Sequence, residues 1–164
     1  METNFSHMPT SQPTIFHYAG FWKRFLAYII DQMIMGVLGI FIVIPFLAMM
    51  GISLWNEDFD PSIGLLVWMI GAYLTMIMTI VIGEWLYYAL MESMKGATLG
   101  KMALGITVTD MQGNRISFGR ATGRYFGKII SSLTMSIGYI MAGFTQRKQA
   151  LHDLIAGCLV INKH

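Results

Sequence analysis

The sequence predicts an all-α membrane protein with two transmembrane helices, a third helical segment that either re-enters or spans the membrane, and a small cytoplasmic β-hairpin. Three observations support this fold class. The 164 residues are 55% hydrophobic but only 12% charged, two long apolar stretches are present, and cations flank both stretches. A chain this small keeps much of its surface exposed, so a water-soluble core could not hide so much apolar area. The bilayer is therefore the expected surrounding.

The same composition excludes several classes of protein. The formal net charge of +2 is too small to indicate a nucleic-acid partner. One cysteine, Cys158, cannot form a disulfide framework, and the hydrophobic content is too high for a disordered regulator. No hydrolytic pattern and no metal-ligand spacing is visible. We therefore expect no enzyme activity, no cofactor and no metal.

The chain divides into a tail and one membrane domain. Residues 1–17 contain one acid, two prolines and no lysine or arginine. They lack the basic start and apolar run of a secretory signal, so a disordered tail is expected. Residues 18–162 form the predicted membrane domain.

Two stretches are long enough to cross a bilayer. The first, 25–50, has Asp31 as its only charge, and its 26 residues correspond to about 39 Å of helix. The second, 62–90, is interrupted only by Glu84. Because the hydrocarbon layer is about 30 Å thick, both are predicted to span it.

Charged residues around these helices predict the orientation. The link at 56–60 carries only acids, whereas cations precede the first helix and follow the second: Lys23, Arg24, Lys95 and Lys101. Cytoplasmic loops of membrane proteins are enriched in lysine and arginine. We therefore expect a cytoplasmic N-terminus and the acidic link outside.

Two segments follow the second helix. Residues 106–118 alternate apolar and polar side chains around a Gln-Gly-Asn turn, which predicts a β-hairpin. Residues 118–144 are apolar enough to enter the membrane, but basic residues lie on both sides of the apolar part. A crossing would place the second basic group outside, so a helix that dips in and returns at Gly138 is favoured. A true third span stays open.

Asp31 is the first candidate for a functional residue. It follows Arg24 by seven residues, so both share a helix face about 10 Å apart along the axis. A carboxylate in the membrane costs on the order of 2.5–3.5 kcal/mol, so Asp31 should have a partner or a proton. One interpretation is a structural ion pair. The other is an ion- or proton-binding site, with Tyr28 and Gln32 as neutral ligands.

Three further features are candidates. Glu84 either faces headgroup water, pairs with Arg24 or carries a second proton, and His152 beside Asp153 suggests a local hydrogen bond. The segment 95–105 resembles a phosphate-binding loop, but it has three residues between glycines instead of four and lacks the Ser or Thr. A glycine-rich turn leading into an interfacial helix is the better interpretation.

The third helical segment carries two lines of residues at four-residue intervals. The line of small residues predicts the close approach of another helix, and it consists of Gly119, Gly123 and Gly127. The basic line predicts contact with anionic lipid headgroups or, alternatively, a substrate path, and it consists of Arg120, Arg124 and Lys128.

Together these residues resemble the RDD family of bacterial membrane proteins. That family is named for an arginine and an aspartate in its first helix and a second aspartate further on, which match Arg24, Asp31 and Asp153. The stretch TLGKMALGITVTDMQGNRISF is similar to the family's glycine-lysine segment and the hairpin after it. The resemblance covers Tyr18 to Asn162. It departs at Cys158, where the family more often has threonine.

The resemblance implies two functions from different classes. One is a monovalent cation/proton antiporter, since some members are linked to such exchange. Asp31 would bind the cation or proton, Asp153 would be its acidic partner, and Arg24 would tune their pKa values. Two or three spans cannot easily enclose a path, so this function requires a homo-oligomer. The alternative is a membrane scaffold or assembly factor for other membrane proteins, in which the three residues are a structural clasp.

Overall fold

The computed structural model describes residues 16–55, 63–133 and 137–163. Most of the predicted N-terminal tail, and the acidic link at 56–60, lie outside these residues. The described elements are six helices and two strands. The helices are α1 (Phe21–Trp55), α2 (Ile63–Lys95), α3 (Leu99–Ala103), α4 (Phe118–Leu133), α5 (Ile137–Phe144) and α6 (Leu151–Ala156), and the strands are β1 (Ile106–Asp110) and β2 (Cys158–Asn162).

The helices α1 and α2 confirm the two predicted membrane helices and are longer than expected. Their 35 and 33 residues correspond to about 52 and 50 Å, against a hydrocarbon thickness of about 30 Å. In the most apolar window of each helix, none of the residues is buried inside the protein. Helices in a soluble core bury such surface, so these two are built to be surrounded by lipid.

The shorter elements pack around one end of the pair formed by α1 and α2. This packed end contains the start of α1, the end of α2 and all the shorter elements. Its apolar core joins both long helices to the small sheet through Ala27, Ala89, Ile106, Val108 and Val160. Small residues in the helices let the sheet and α3 approach them closely.

The predicted β-hairpin is wrong in its second strand. β1 pairs antiparallel with β2, with Val108 opposite Val160, and the residues that follow the turn contribute a single bridge, between Thr109 and Arg115. The turn itself forms, because the Asp110 carboxylate accepts the amides of Gln112 and Asn114 at 2.9 and 2.8 Å. α4 then begins at Phe118, which leaves too few residues for a strand.

The third apolar segment folds back on itself. It forms α4 and α5, and the hydroxyl of Tyr139 in α5 donates to the carbonyl of Lys128 in α4 at 2.9 Å. Gly138 is not the break that the sequence suggested, since it lies inside α5. A β-carbon at Gly138 would lie 2.9 Å from that of Ser131, so glycine is needed for the two helices to touch.

Candidate functional site

Asp31 is the point where α3 docks onto α1. Its side chain is 1% exposed and its carboxylate accepts three hydrogen bonds. The donors are the Tyr87 hydroxyl at 2.8 Å, the Thr98 hydroxyl at 2.5 Å and the Gly100 amide at 2.8 Å. The Tyr87 hydroxyl in turn accepts the amide of Leu99 at 3.1 Å. Asp31 therefore satisfies backbone groups at the start of α3.

Gly100 makes this docking possible. A β-carbon at Gly100 would overlap the carbonyl oxygen of Ala27 and lie 3.0 Å from the Asp31 carboxyl group. Only hydrogen fits between the two helices at this point. The glycine-rich segment thus packs against a helix of its own chain, and Thr98 and Gly100 in it bind a carboxylate rather than a phosphate.

The residues predicted to surround Asp31 are not the ones that do. Tyr28 is half exposed, Gln32 lies beside Tyr88, and neither is hydrogen-bonded to Asp31 in the described part of the chain. Arg24 and Asp31 also form no ion pair there. The predicted group of Arg24, Asp31 and Asp153 is therefore split into two separate sites.

The second site is a buried chain of alternating charges that we call the ionic network. Arg24 pairs with Asp153, whose other oxygen accepts Arg124 Nε at 2.7 Å. Arg124 Nη1 lies 2.8 Å from Glu92 Oε1, and Lys101 Nζ lies 2.5 Å from the same oxygen. One residue comes from each of α1, α6, α4, α2 and α3. The network therefore ties together five of the six described helices.

The two acids are the most deeply buried side chains of the ionic network. Asp153 is 0% exposed and Glu92 is 1% exposed. Asp153 also accepts the Ala150 amide at 3.1 Å, which caps α6, and Arg24 Nε donates to the Ala19 carbonyl at 3.1 Å. Buried charges are tolerated when they are paired and hydrogen-bonded in this way.

Electrostatics keep the network ionised. Burial alone would raise the pKa of Asp153, but the nearby Arg124 and Arg24 hold it well below its usual range. Burial opposes the charge on Arg124 as well, yet Glu92 and Asp153 raise its pKa above the ordinary value. His152, 3.5 Å from Asp153, is different, because burial lowers its pKa to about 3. His152 is therefore neutral at pH 7.

Lys128 is a fourth cation beside the network. Its ammonium lies 3.6 Å from the centroid of the Tyr88 ring, a cation–π contact. Among the described residues it has no carboxylate within ion-pair distance. Burial lowers the pKa of Lys128 to about 7. The cations Lys101 and Arg124 also lower this pKa, whereas the Glu92 carboxylate opposes the shift.

The two lines of residues on α4 have different surroundings from those expected. Arg124 and Lys128 point into the protein, toward the network and Tyr88, so only Arg120 of the basic line is exposed at the surface. On the line of small residues, a β-carbon at Gly127 would lie 3.1 Å from that of His152. The helix that Gly127 receives is thus α6 of the same chain. Gly119 and Gly123 face open space among the described residues.

Glu84 stands apart from both sites. It is half-buried in α2 and makes no ion pair or hydrogen bond with any residue in the described ranges. It does not reach Arg24. Within those ranges, no three side chains of His, Cys, Asp or Glu lie close enough to hold a metal ion.

Sequence reasoning missed Glu92 and Lys101 as members of the network. A usable signal was present, because residues 95–163 contain nine cations and only two acids. Buried cations in that region must therefore draw on an acid outside it, and Glu92 is the nearest. Tyr87 and Thr98 gave no such signal, since neutral donors are common in any helix or turn.

Comparison with known proteins agrees with this architecture. The sequence model described as the RDD family matches residues 18–157. The chain is 38% identical over 148 residues to the uncharacterized protein YxaI of Bacillus subtilis (strain 168), covering 88% of this chain and 97% of that protein. It is 29% identical over 152 residues to the uncharacterized membrane protein YteJ of the same organism, covering 89% and 82%. No solved structure matches the chain.

Proposed function

Because this chain belongs to the RDD family of membrane proteins, we propose that it is a non-enzymatic membrane scaffold in which the ionic network holds the packed end together. The proposal rests on the burial and the hydrogen bonds of the Asp31 side chain. It is 1% exposed and all three of its hydrogen bonds come from its own chain. The Asp31 carboxylate therefore holds α3 against α1.

The groups around Asp31 suit a carboxylate and not a cation. The Gly100 amide presents its hydrogen to the carboxylate, and the two hydroxyls donate to it as well. A cation needs acceptor oxygens around it, and a fixed N–H dipole at this point repels positive charge. Binding a monovalent cation here would require α3 to leave α1.

Asp153 is equally unsuited to carry protons. Two arginines bind it, and the pKa of Asp153 lies far below its usual range as a result. A carrier must gain and lose its proton near the working pH. Asp153 stays ionised throughout the physiological range and therefore serves as a fixed counter-ion.

The orientation belongs to the same proposal. Exposed cations gather at the packed end, including Lys23, Lys95, Arg120 and Lys148. Loops rich in such residues remain on the cytoplasmic side during insertion. We place the packed end and the N-terminus in the cytoplasm of a bacterial cell, with the scaffold in the inner membrane and its long apolar helices available to other membrane proteins.

A second candidate function, monovalent cation/proton antiport by a homo-oligomer, is favoured by a different observation. Glu84 is half-buried in α2 and has no ion-pair or hydrogen-bond partner among the described residues. Burial also lowers the pKa of Lys128, on α4, to about 7. In this version Lys128 exchanges protons near neutral pH. In this version Glu84, rather than Asp31, is the carrier.

Proton flux in liposomes separates the two functions. The purified protein is reconstituted with an internal pH-sensitive dye, and Na⁺ or K⁺ is added outside. The scaffold proposal expects no cation-dependent flux from the wild type and a lower unfolding temperature for Asp31→Asn. Cation-dependent flux from the wild type would overturn it. Loss of that flux in Glu84→Gln, but not in Asp31→Asn, would assign the antiport to Glu84.

A further inference from the structure

The contacts between α4 and α2 fix the depth of α4 in the membrane. The Tyr125 hydroxyl donates to the Val81 carbonyl at 3.5 Å, and Trp85 Nε1 donates to the Thr122 hydroxyl at 3.3 Å. The ring of Phe118 also lies 6.0 Å from that of Trp85. α4 therefore lies beside the part of α2 from Val81 to Trp85.

That part of α2 is the edge of the hydrocarbon layer. α2 begins at Ile63, and about 20 residues of helix cross about 30 Å. The apolar crossing therefore ends close to Glu84, the first charged residue of the helix. Glu92, which pairs with Arg124 of α4, is two further turns away from the membrane. α4 consequently crosses α2 at the boundary between lipid tails and headgroups.

The fold leaves a large apolar surface uncovered at this depth. Its residues are between 44% and 86% exposed and come from α4, α5 and α6: Phe126, Ile129, Ile130, Leu133, Ile137, Ile140, Phe144, Leu154 and Ile155. An apolar patch of this extent marks an interaction site. It continues the exposed apolar surface of α1 and α2, which lipid surrounds.

The exposed charges of the segment from Phe118 to Ala156 have one sign. Between Phe118 and Ala156 the chain has a single acid, Asp153, which is buried in the network. The cations Arg124 and Lys128 point inward as well. The exposed charges that remain are Arg120, Arg147 and Lys148. These are complementary to negative phosphate groups.

We propose that α4, α5 and α6 form an interfacial collar, which inserts its apolar face into one leaflet without crossing it and binds anionic phospholipid through Arg120, Arg147 and Lys148. Amphipathic helices with an apolar face and a basic rim lie in the membrane plane in this way. The collar explains how an apolar segment can be flanked by cations on both sides. It holds for a scaffold and for an antiporter alike.

Spin-label accessibility tests the depth of the collar. Cys158 is fully buried and can be retained. Single cysteines are added at Ile130 and at Ile155, and the wild type shows whether Cys158 itself takes up the spin label. Leu74 in α2 and Lys163 serve as membrane and aqueous controls. In phosphatidylcholine–phosphatidylglycerol vesicles, both collar labels should collide more with oxygen than with a water-soluble nickel chelate, at a depth between the controls.

Three outcomes would overturn the collar. Nickel accessibility equal to that at Lys163 would place the face in water. A depth at Ile130 equal to that at Leu74 would indicate a third span. Low accessibility to both reagents would mean that protein, such as a second copy of this chain, covers the face.

A stability comparison tests the choice of lipid. Unfolding temperatures are measured in nanodiscs of phosphatidylcholine alone and with phosphatidylglycerol added. The wild type should be several degrees more stable with the anionic lipid, and high salt should reduce the difference. The triple variant Arg120→Gln, Arg147→Gln, Lys148→Gln should lose most of it, whereas Lys163→Gln should keep it. Anionic-lipid binding would be refuted if the wild type had the same unfolding temperature in both lipids. It would also be refuted if the triple variant kept the full difference in unfolding temperature.

Discussion

Gly100 and Asp31 are 69 residues apart in the chain, yet the amide of one donates to the carboxylate of the other at 2.8 Å. The absence of a side chain at Gly100 brings the backbone of α3 against that of α1, and the carboxylate receives the amide that this approach exposes. The contact joins a membrane helix to the segment that also supplies Lys101 to the ionic network. Packing and electrostatics are thus coupled at one point.

Gly100→Ala should destabilise the protein by about 1–3 kcal/mol, the usual cost of overpacking. The new methyl group would overlap the Ala27 carbonyl and displace α3 from Asp31. Thermal unfolding in detergent measures the effect. Gly123→Ala is the matched control, because nothing in the described structure lies within 4 Å of that position. Equal stability of both variants would show that α3 does not dock as described.

Glu92→Gln should cost about 3–5 kcal/mol, since removing one partner leaves buried charges uncompensated. Arg124 and Lys101 both depend on the Glu92 carboxylate. Glu84→Gln is the same substitution on the same helix at an unpaired position, so it should change the free energy of unfolding little. The interpretation fails if the two variants unfold at the same denaturant concentration.

Arg24→Gln and Asp153→Asn should not be additive. Each change alone disrupts the ion pair, so the double variant should lose less than the sum, with a coupling energy of about 0.5–3 kcal/mol. Chemical unfolding of the four proteins gives this value. Additive losses would mean that the pair contributes nothing to stability.

The free energy of unfolding should rise with pH between about 7 and 10.5. Burial lowers the pKa of Lys128 from 10.5 to about 7, so the unfolded chain binds more protons than the folded protein in this window. Raising the pH therefore favours the folded state. The groups that face Lys128 are Glu92, Lys101, Arg124 and Asp31. Lys128→Met should flatten the slope, whereas Lys163→Met should leave it unchanged; a wild type without a slope contradicts the prediction.

A cysteine placed at Asp58 should react with a membrane-impermeant maleimide in intact cells, because the acidic link is predicted to lie outside. A cysteine at Lys163 should react only after the cells are opened. Cys158 is buried and provides the unreactive background. Labelling of Lys163→Cys alone in intact cells would mean that the orientation is reversed.

The parts of the fold that the sequence predicted are those set by composition and charge. Two helices follow from long apolar runs. Asp31 and Arg24 attract attention because a charge in such surroundings needs a partner, whereas Asp153 is indicated by the family resemblance. The strand β2 was missed because a short apolar run such as CLVIN is compatible with helix or strand, and its partner is about 50 residues away. A four-residue spacing places Arg124 and Lys128 on one helix face, but it does not reveal which helix covers that face.

The pairing of Arg24 with Asp153 has a consequence for how the protein is made. Arg24 and its partner are separated by 129 residues, so α1 and α2 have already left the ribosome long before the aspartate is translated. During that interval Arg24 and Arg124 lack the shared anion, and β1 lacks β2. The ionic network and the sheet are therefore completed only after both long helices have been translated. A chain that stops before Asp153 would have unpaired cations and an open strand edge.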